Sequence, residues 1–276
     1  MRLTPRYEGP PALVLDPPGH PSTPLIRQRR RLVATAATFD ADQWAAPSRC
    51  AGWSNRDVIC HLVTTNSFWA ASISAGRVGD PTRFLPGFDP VVTPAQLVDA
   101  TPDIPTTELL ARFEATNEAI EEALDGIDAD GWEVMAEAPA GHLALSVVAS
   151  HALWDAWVHE RDICLPLGLP VDEEVDEIIT SLRLVAGLGP ALLAVCGSTR
   201  IGAFAVRATD LDHTMVVDVG PTVVVRDEAV ALGLPTVAGG AVALTEAFSL
   251  RAPPPVLPEA DGWMVDALGV MFDQGA

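Results

Sequence analysis

His151, Asp155 and His159 recur every four residues in a stretch whose neighbours Val148, Leu153, Trp154 and Val158 are apolar. That spacing stacks side chains on one face of an α-helix, roughly 6 Å apart from one to the next. The run therefore reads as a helix that buries a carboxylate between two imidazoles, and this constrains the fold more than any other feature of the chain. An ionised Asp among apolar neighbours is costly to bury without a cation or a donor. Another part of the tertiary structure has to meet it.

A second stretch offers a partner. Ser54 reads as the N-cap of a helix, with Asp57 three residues on in a capping-box variant that also sets an acid against the positive end of the dipole. His61 then falls on the apolar stripe Val58, Leu62, Thr65 and Phe68. A single His on such a face is usually a core residue hydrogen-bonded to a neighbour. A His on one helix facing a carboxylate and a His on another is also how helical bundles build metal sites. Taken alone, the residues leave both arrangements open: a divalent cation, or an Asp–His hydrogen-bonded pair.

The segments Cys50-Ala51-Gly52-Trp53-Ser54-Asn55-Arg56-Asp57-Val58-Ile59-Cys60-His61-Leu62 and Asp155-Ala156-Trp157-Val158-His159-Glu160-Arg161-Asp162-Ile163 resemble the two signatures of the mycothiol-dependent maleylpyruvate isomerase family, a branch of the DinB-like metal-binding bundles. The resemblance implies a divalent metal, usually zinc, held by His61, Asp155 and His159. The family commonly carries Glu where Asp155 stands; the shorter Asp implies an ion closer to the helix or one that keeps an extra water. His151 has no role in the family and is open as an alternative ligand or as a donor behind the ligands. Asp162 is either an acceptor for a ligating imidazole or the partner of an arginine such as Arg56 or Arg161. The segment Val237-Ala238-Gly239-Gly240 and the apolar run to Leu250-Arg251 are similar to the family's C-terminal helix, which ends in an arginine facing the active site. This gives Arg251 a catalytic role, holding a substrate carboxylate; read alone, it is an exposed helix-terminal Arg favoured by the dipole.

The resemblance also implies a chemistry. A low-molecular-weight thiol, mycothiol, is activated at the metal and adds to the cis double bond of an unsaturated diacid; the resulting single bond rotates, and elimination of the thiol returns the diacid as its trans isomer. A thiol S-transferase using the same activation on a small electrophile is the neighbouring reading. The alternative is a non-catalytic metal-binding bundle that binds a small molecule or a protein partner.

Composition narrows the rest. The formal charge of −20 excludes a basic surface for nucleic acid. All 17 basic residues are Arg, so Schiff-base lysine chemistry and a phosphate-loop lysine are absent, and the bias suits a GC-rich actinobacterial source. The N-terminal sequence is Pro-rich rather than signal-like, and the apolar stretch 182–195 is broken by Arg183, Gly187, Gly189 and Pro190, so a cytoplasmic protein without a membrane span is expected, as a monomer or homodimer. Cys50, Cys60, Cys164 and Cys196 show no metal-knuckle or dithiol spacing.

The expected fold is mainly α with a small α+β domain: a Pro-rich arm over 1–23, a DinB-like four-helix bundle over 24–197, and a small antiparallel sheet with helices over 198–276. Leu25 to Phe39, the His61 segment, Leu109 to Leu124 and Leu143 to Ile163 carry the bundle helices. Arg27, Arg29, Arg30 and Arg31 read as a solvated face, and the Pro-, Gly- and Asp-rich connection 76–105 as a lid over the metal. Val171 to Leu184 reads as a further helix and Gly187 to Gly197 as a connection or packed helix. Ile201 to Arg207, His213 to Val219 and Thr222 to Arg226 are the β-runs, and two helical segments, 241–250 and 262–272, follow.

Overall fold

The prolines of the opening segment keep it extended, as expected, and the extended chain is used in a sheet. In the computed structural model, which describes residues 2–231 and 233–272, Leu13–Asp16 (β1) pairs in parallel with Val223–Asp227 (β6), Leu13 opposite Val223. Met1, Leu232 and residues 273–276, included in the expected arm and C-terminal domain, lie outside the described residues. Gly202–Ala208 (β4), His213–Val219 (β5) and β6 pair antiparallel, as their alternation suggests. Thr236–Gly239 (β7) adds in parallel to β4, giving the order β1-β6-β5-β4-β7. The sheet is thus mixed and five-stranded, not small and antiparallel. Its two outer strands are four residues each, too short for a period-2 pattern, and β1 finds its partner some 210 residues along the chain.

Ser22–Ala36 (α1), Asn55–Arg77 (α3), Thr106–Leu124 (α5) and Leu145–Cys164 (α6) pack on one another, with the short Ala41–Ala45 (α2) and Val92–Asp99 (α4) beside them. Ser54 caps α3 with the expected box: its side chain accepts from the Asp57 amide and Asp57 accepts from the Ser54 amide. The helix α6 begins at Leu145 rather than Leu143, because Gly141–Ala144 (β3) closes a hairpin with Met135–Ala138 (β2).

Val175–Val195 (α7) is one helix where a break near Gly187 was a possible reading. Gly187 and Gly189 serve close approach: a Cβ on Gly187 would stand 2.6 Å from Val225 Cγ2 and 2.7 Å from Leu13 Cδ1, and one on Gly189 would stand 2.6 Å from the Leu268 amide nitrogen. These two positions let α7 press on the sheet and on Ala267–Phe272 (α9). By length and composition α7 could cross a membrane, yet 78% of its most apolar window is buried inside the fold. Ala241–Phe248 (α8) also packs on α7.

Two expectations are corrected. The arginines of α1 are only partly a solvated face: Arg30 is exposed, with Arg27 half-buried beside it. Arg29 is fully buried, bonding Asn66 and Asn117 side chains and the Ala152 carbonyl, while Arg31 joins the buried carboxylates of Glu160 and Glu177. Helical periodicity alone does not reveal that carboxylates on α6 and α7 wait for them. The connection after α3 is held far from His61: the buried Glu137 carboxylate accepts from Tyr7, Thr82 and the amides of Phe84 and Leu85. Further on, α4 and the residues after it pack on the Cys60, Val63 and Thr64 face of α3, about 100° around the helix from His61.

Candidate metal centre

The first turns of α3 and the middle of α6 bring His61, Asp155 and His159 together. Their ligand atoms lie within 4.8 Å of one another. His61 Nε2 is 3.6 Å and His159 Nε2 3.7 Å from Asp155 Oδ1, and the two rings meet edge-on with centroids 4.9 Å apart. Those separations exceed a hydrogen bond and approach the roughly 3.3–3.6 Å edge of a tetrahedron around zinc with 2.0–2.2 Å bonds. The other oxygen, Asp155 Oδ2, is buried with no hydrogen-bond partner among the described residues. An orphaned carboxylate oxygen beside two imidazoles fits a cation and fits a mere Asp–His pair poorly.

Burial pushes the Asp155 carboxyl up, but the His61 contact and the charges of His61, His159 and His151 outweigh it and hold the acid ionised, well below the usual carboxylate range. Burial dominates at His61 and lowers it, against Asp155. At His159 burial also pulls down, yet Asp162, Cys50 and Asp155 reverse the balance and raise the ring to about 10.

Behind His159 stands the group that fixes its orientation. Asp162, fully buried, accepts from His159 Nδ1 at 3.1 Å, leaving Nε2 free to face Asp155 and His61. A carboxylate on the far nitrogen of a ligating His sets its tautomer and makes it a better donor to a metal. Asp162 also takes Arg49 Nε at 3.0 Å and the fork of Arg251, Nε to Oδ1 and Nη2 to Oδ2, both at 2.8 Å. Arg56 and Arg161, the partners weighed from the sequence, go elsewhere: Arg56 to Asp103 and the Ile104 carbonyl, Arg161 to Glu246. Glu246 on α8 also holds Arg49, so α8 and the residues just after it are fastened to the face of α6 that carries the triad.

Arg251, given a catalytic role by the resemblance, lies behind His159 with its fork engaged on Asp162. Arg49 and Cys50 were missed as site residues. Cys50 donates to Asp162 Oδ2 at 3.1 Å and lies 3.6 Å from both His159 Nδ1 and Arg251 Nη2. Cys50, His159 and Asp162 are themselves close enough to hold an ion, but two guanidiniums already occupy Asp162. The first set, free of any such cation, is the better site. His151 is outside both sets; its ring lies 5.0 Å from that of Trp69 and 5.4 Å from that of Trp154.

Residues 25–164, half of the chain, match the family model of the mycothiol maleylpyruvate isomerase N-terminal domain. No curated protein matches the sequence. Among similar solved structures are two crystal structures of the mycothiol-dependent maleylpyruvate isomerase. One, a histidine-to-alanine mutant, is 11% identical with a TM-score of 0.59 over 84% of this chain and 88% of its own. The other is 12% identical with a TM-score of 0.59 over 87% of this chain and 92% of its own. At such identity the likeness is one of fold.

Proposed function

The chain belongs to the mycothiol maleylpyruvate isomerase family, and on that premise we propose that it is a divalent-metal-binding, mycothiol-dependent enzyme acting on a small electrophile, by isomerisation of the maleylpyruvate type or by thiol S-transfer. The observation that carries the reading is the orphaned, buried Asp155 Oδ2 beside the two facing imidazole nitrogens of His61 and His159. His61, Asp155 and His159 would hold the ion, zinc by the nature of the donor set. When bound, such an ion lowers the proton affinity of a thiol and so supplies a nucleophile near neutral pH.

The chain's own residues do the rest. Asp162 holds His159 with Nε2 inward. Arg251 and Arg49 neutralise Asp162, and through it hold the ring in place. Trp53, 5.3 Å from His61 ring to ring, shields that imidazole from water. In the reaction Arg251 is the group to meet a substrate carboxylate, its fork shared between Asp162 and that anion. The DinB-like four-helix bundle is retained as the description of α1, α3, α5 and α6. Cytoplasmic location and a monomeric or dimeric state complete the proposal.

Elemental analysis of the purified protein, with a screen for isomerisation and conjugation with and without mycothiol, tests it. About one zinc per chain and thiol-dependent turnover are expected. A metal-free protein that turns over, or a metal-bound one indifferent to thiol, would refute it.

A further inference from the structure

Arg29 is a buried cation hydrogen-bonded only to neutral groups. From α1 its guanidinium reaches three other helices: Nη1 bonds the side-chain carbonyl of Asn66 on α3 and, at 3.4 Å, that of Asn117 on α5, while Nη2 donates to the Ala152 carbonyl on α6 at 2.8 Å. Nε is buried with no partner among the described residues, and the whole residue is 0% exposed. Neutral acceptors replace the water around a guanidinium but do not cancel its charge, so such burial is costly without an anion nearby. The anion lies on α6. A helical carbonyl points along the axis toward the residues three and four further on, so a guanidinium seated on the Ala152 carbonyl stands at the height of Asp155, which shares a helix face with Ala152. Asp155 has the complementary want: its Oδ2 is buried without a hydrogen-bond partner among the described residues. Burial pulls Arg29 down, to about 10, and the charge of Asp155 works against that pull, so the guanidinium stays charged at neutral pH.

We propose that Arg29 is the fixed counter-charge of Asp155, a positioning residue that supports the ionised acid in the metal-free centre and weakens the centre's grip on a cation. The other groups around Asp155 are imidazoles: His61, His159 and His151. Burial drives His61 and His151 toward the neutral form, and an imidazole that ligates a metal carries no proton on the ligating nitrogen, whereas a guanidinium keeps its charge throughout. A divalent cation at the triad therefore meets two opposed fields, attraction from Asp155 and repulsion from Arg29 behind it. The three ligands hold such an ion less tightly than they would alone, as suits a centre that exchanges its ion rather than one that locks it in to support the fold. The proposal rests on the metal-binding part of the functional reading above and is independent of the reaction. Arg49, Arg161 and Arg251 do not share this role, because Asp162 and Glu246 already neutralise them.

The sign of the effect separates this role from that of a clamp holding four helices. Zinc is titrated into the full-length protein, stripped of metal by a chelator, in competition with a chromophoric chelator. Arg29→Gln, which keeps a donor and removes the charge, is expected to bind zinc about ten-fold more tightly than the parent, and Arg29→Lys, which keeps the charge, to stay within about two-fold of it. Loss of a clamp would loosen the ligands and weaken zinc binding instead. Unchanged or weaker binding in Arg29→Gln, or a gain in Arg29→Lys as large as in Arg29→Gln, overturns the proposal. A second measurement needs no metal: urea denaturation of the metal-free parent, Arg29→Gln, Asp155→Asn and the double variant. The two substitutions together should destabilise less than the sum of their separate effects, by about ten-fold in the unfolding constant. Additive effects overturn the pairing. Should Arg29→Gln alone fail to fold, the double variant must fold, and failure of both overturns it too. A parent protein that takes up no zinc yet shows the coupling refutes the functional reading, whereas zinc uptake with additive effects refutes only the role of Arg29.

Discussion

Arg251 grips Asp162 through both Nε and Nη2, and that one bidentate pair ties the end of α8 to the helix bearing Asp155 and His159. The C-terminal part of the chain is thereby locked to the candidate metal centre through a residue that itself orients His159. Lys offers a point charge in place of a fork. Arg251→Lys should leave zinc content unchanged, lower kcat/KM at least ten-fold, and reduce unfolding free energy by about 1–3 kcal/mol. Steady-state kinetics and urea denaturation check this; unaltered turnover removes Arg251 from the reaction.

Asp155 decides metal retention. Asp155→Ala should drop zinc from about one per chain to near zero, while the far-ultraviolet circular dichroism of the protein stays the same, because three ligands reduced to two imidazoles hold the ion weakly. Asp155→Glu, which restores the side-chain length common in the family, should keep the metal. Plasma emission spectrometry on the dialysed variants reads both outcomes, and full zinc in the Ala variant would place the ion elsewhere.

Cobalt distinguishes the two clusters that share His159. With His61, Asp155 and His159 as ligands, the Co2+-substituted resting protein should lack the intense near-ultraviolet band of a thiolate–metal bond, and Cys50→Ser should leave its spectrum unaltered. A charge-transfer band that vanishes in Cys50→Ser would move the ion to Cys50, His159 and Asp162.

Metal affinity should rise with pH. Without an ion His159 is held protonated up to about 10, against an ordinary value of 6.5, so an incoming cation must displace that proton. Near pH 8, titration calorimetry in buffers of different ionisation enthalpy should find about one proton released per ion at this ring, and affinity should fall close to ten-fold per pH unit lowered. In the metal-free protein the sign reverses: a raised value stabilises the fold fully below 6.5 and loses that contribution as pH rises through about 10. Metal-free protein whose melting temperature increases between pH 8 and 10 would contradict the arrangement around Asp162.

Gly189→Ala should destabilise by about 1–3 kcal/mol, because its Cβ would meet backbone at Leu268 2.6 Å away and force α9 off α7. Chemical denaturation measures it. Unchanged stability would show that α9 does not depend on the close approach.

What the sequence determined by itself is what local rules govern. The capping box at Ser54 and the spacing of His151, Asp155 and His159 fixed two helices and the faces they present, since a helix face is set by residues within two turns. The matching motifs pointed to His61, Asp155, His159 and Arg251. What the tertiary structure alone decided is which groups meet across the chain. Asp162 chose Arg49 and Arg251 over Arg56 and over Arg161, its immediate neighbour in sequence, because the docking of α8 brings Arg251 in and Glu246 takes Arg161 away. The opening strand joined a sheet some 210 residues distant. Trp69 and His151 meet only because the packing of α3 on α6 sets one ring against the other. Such pairings depend on the direction and depth of packing, which periodicity along one element does not encode, because every helix face can be satisfied by more than one partner.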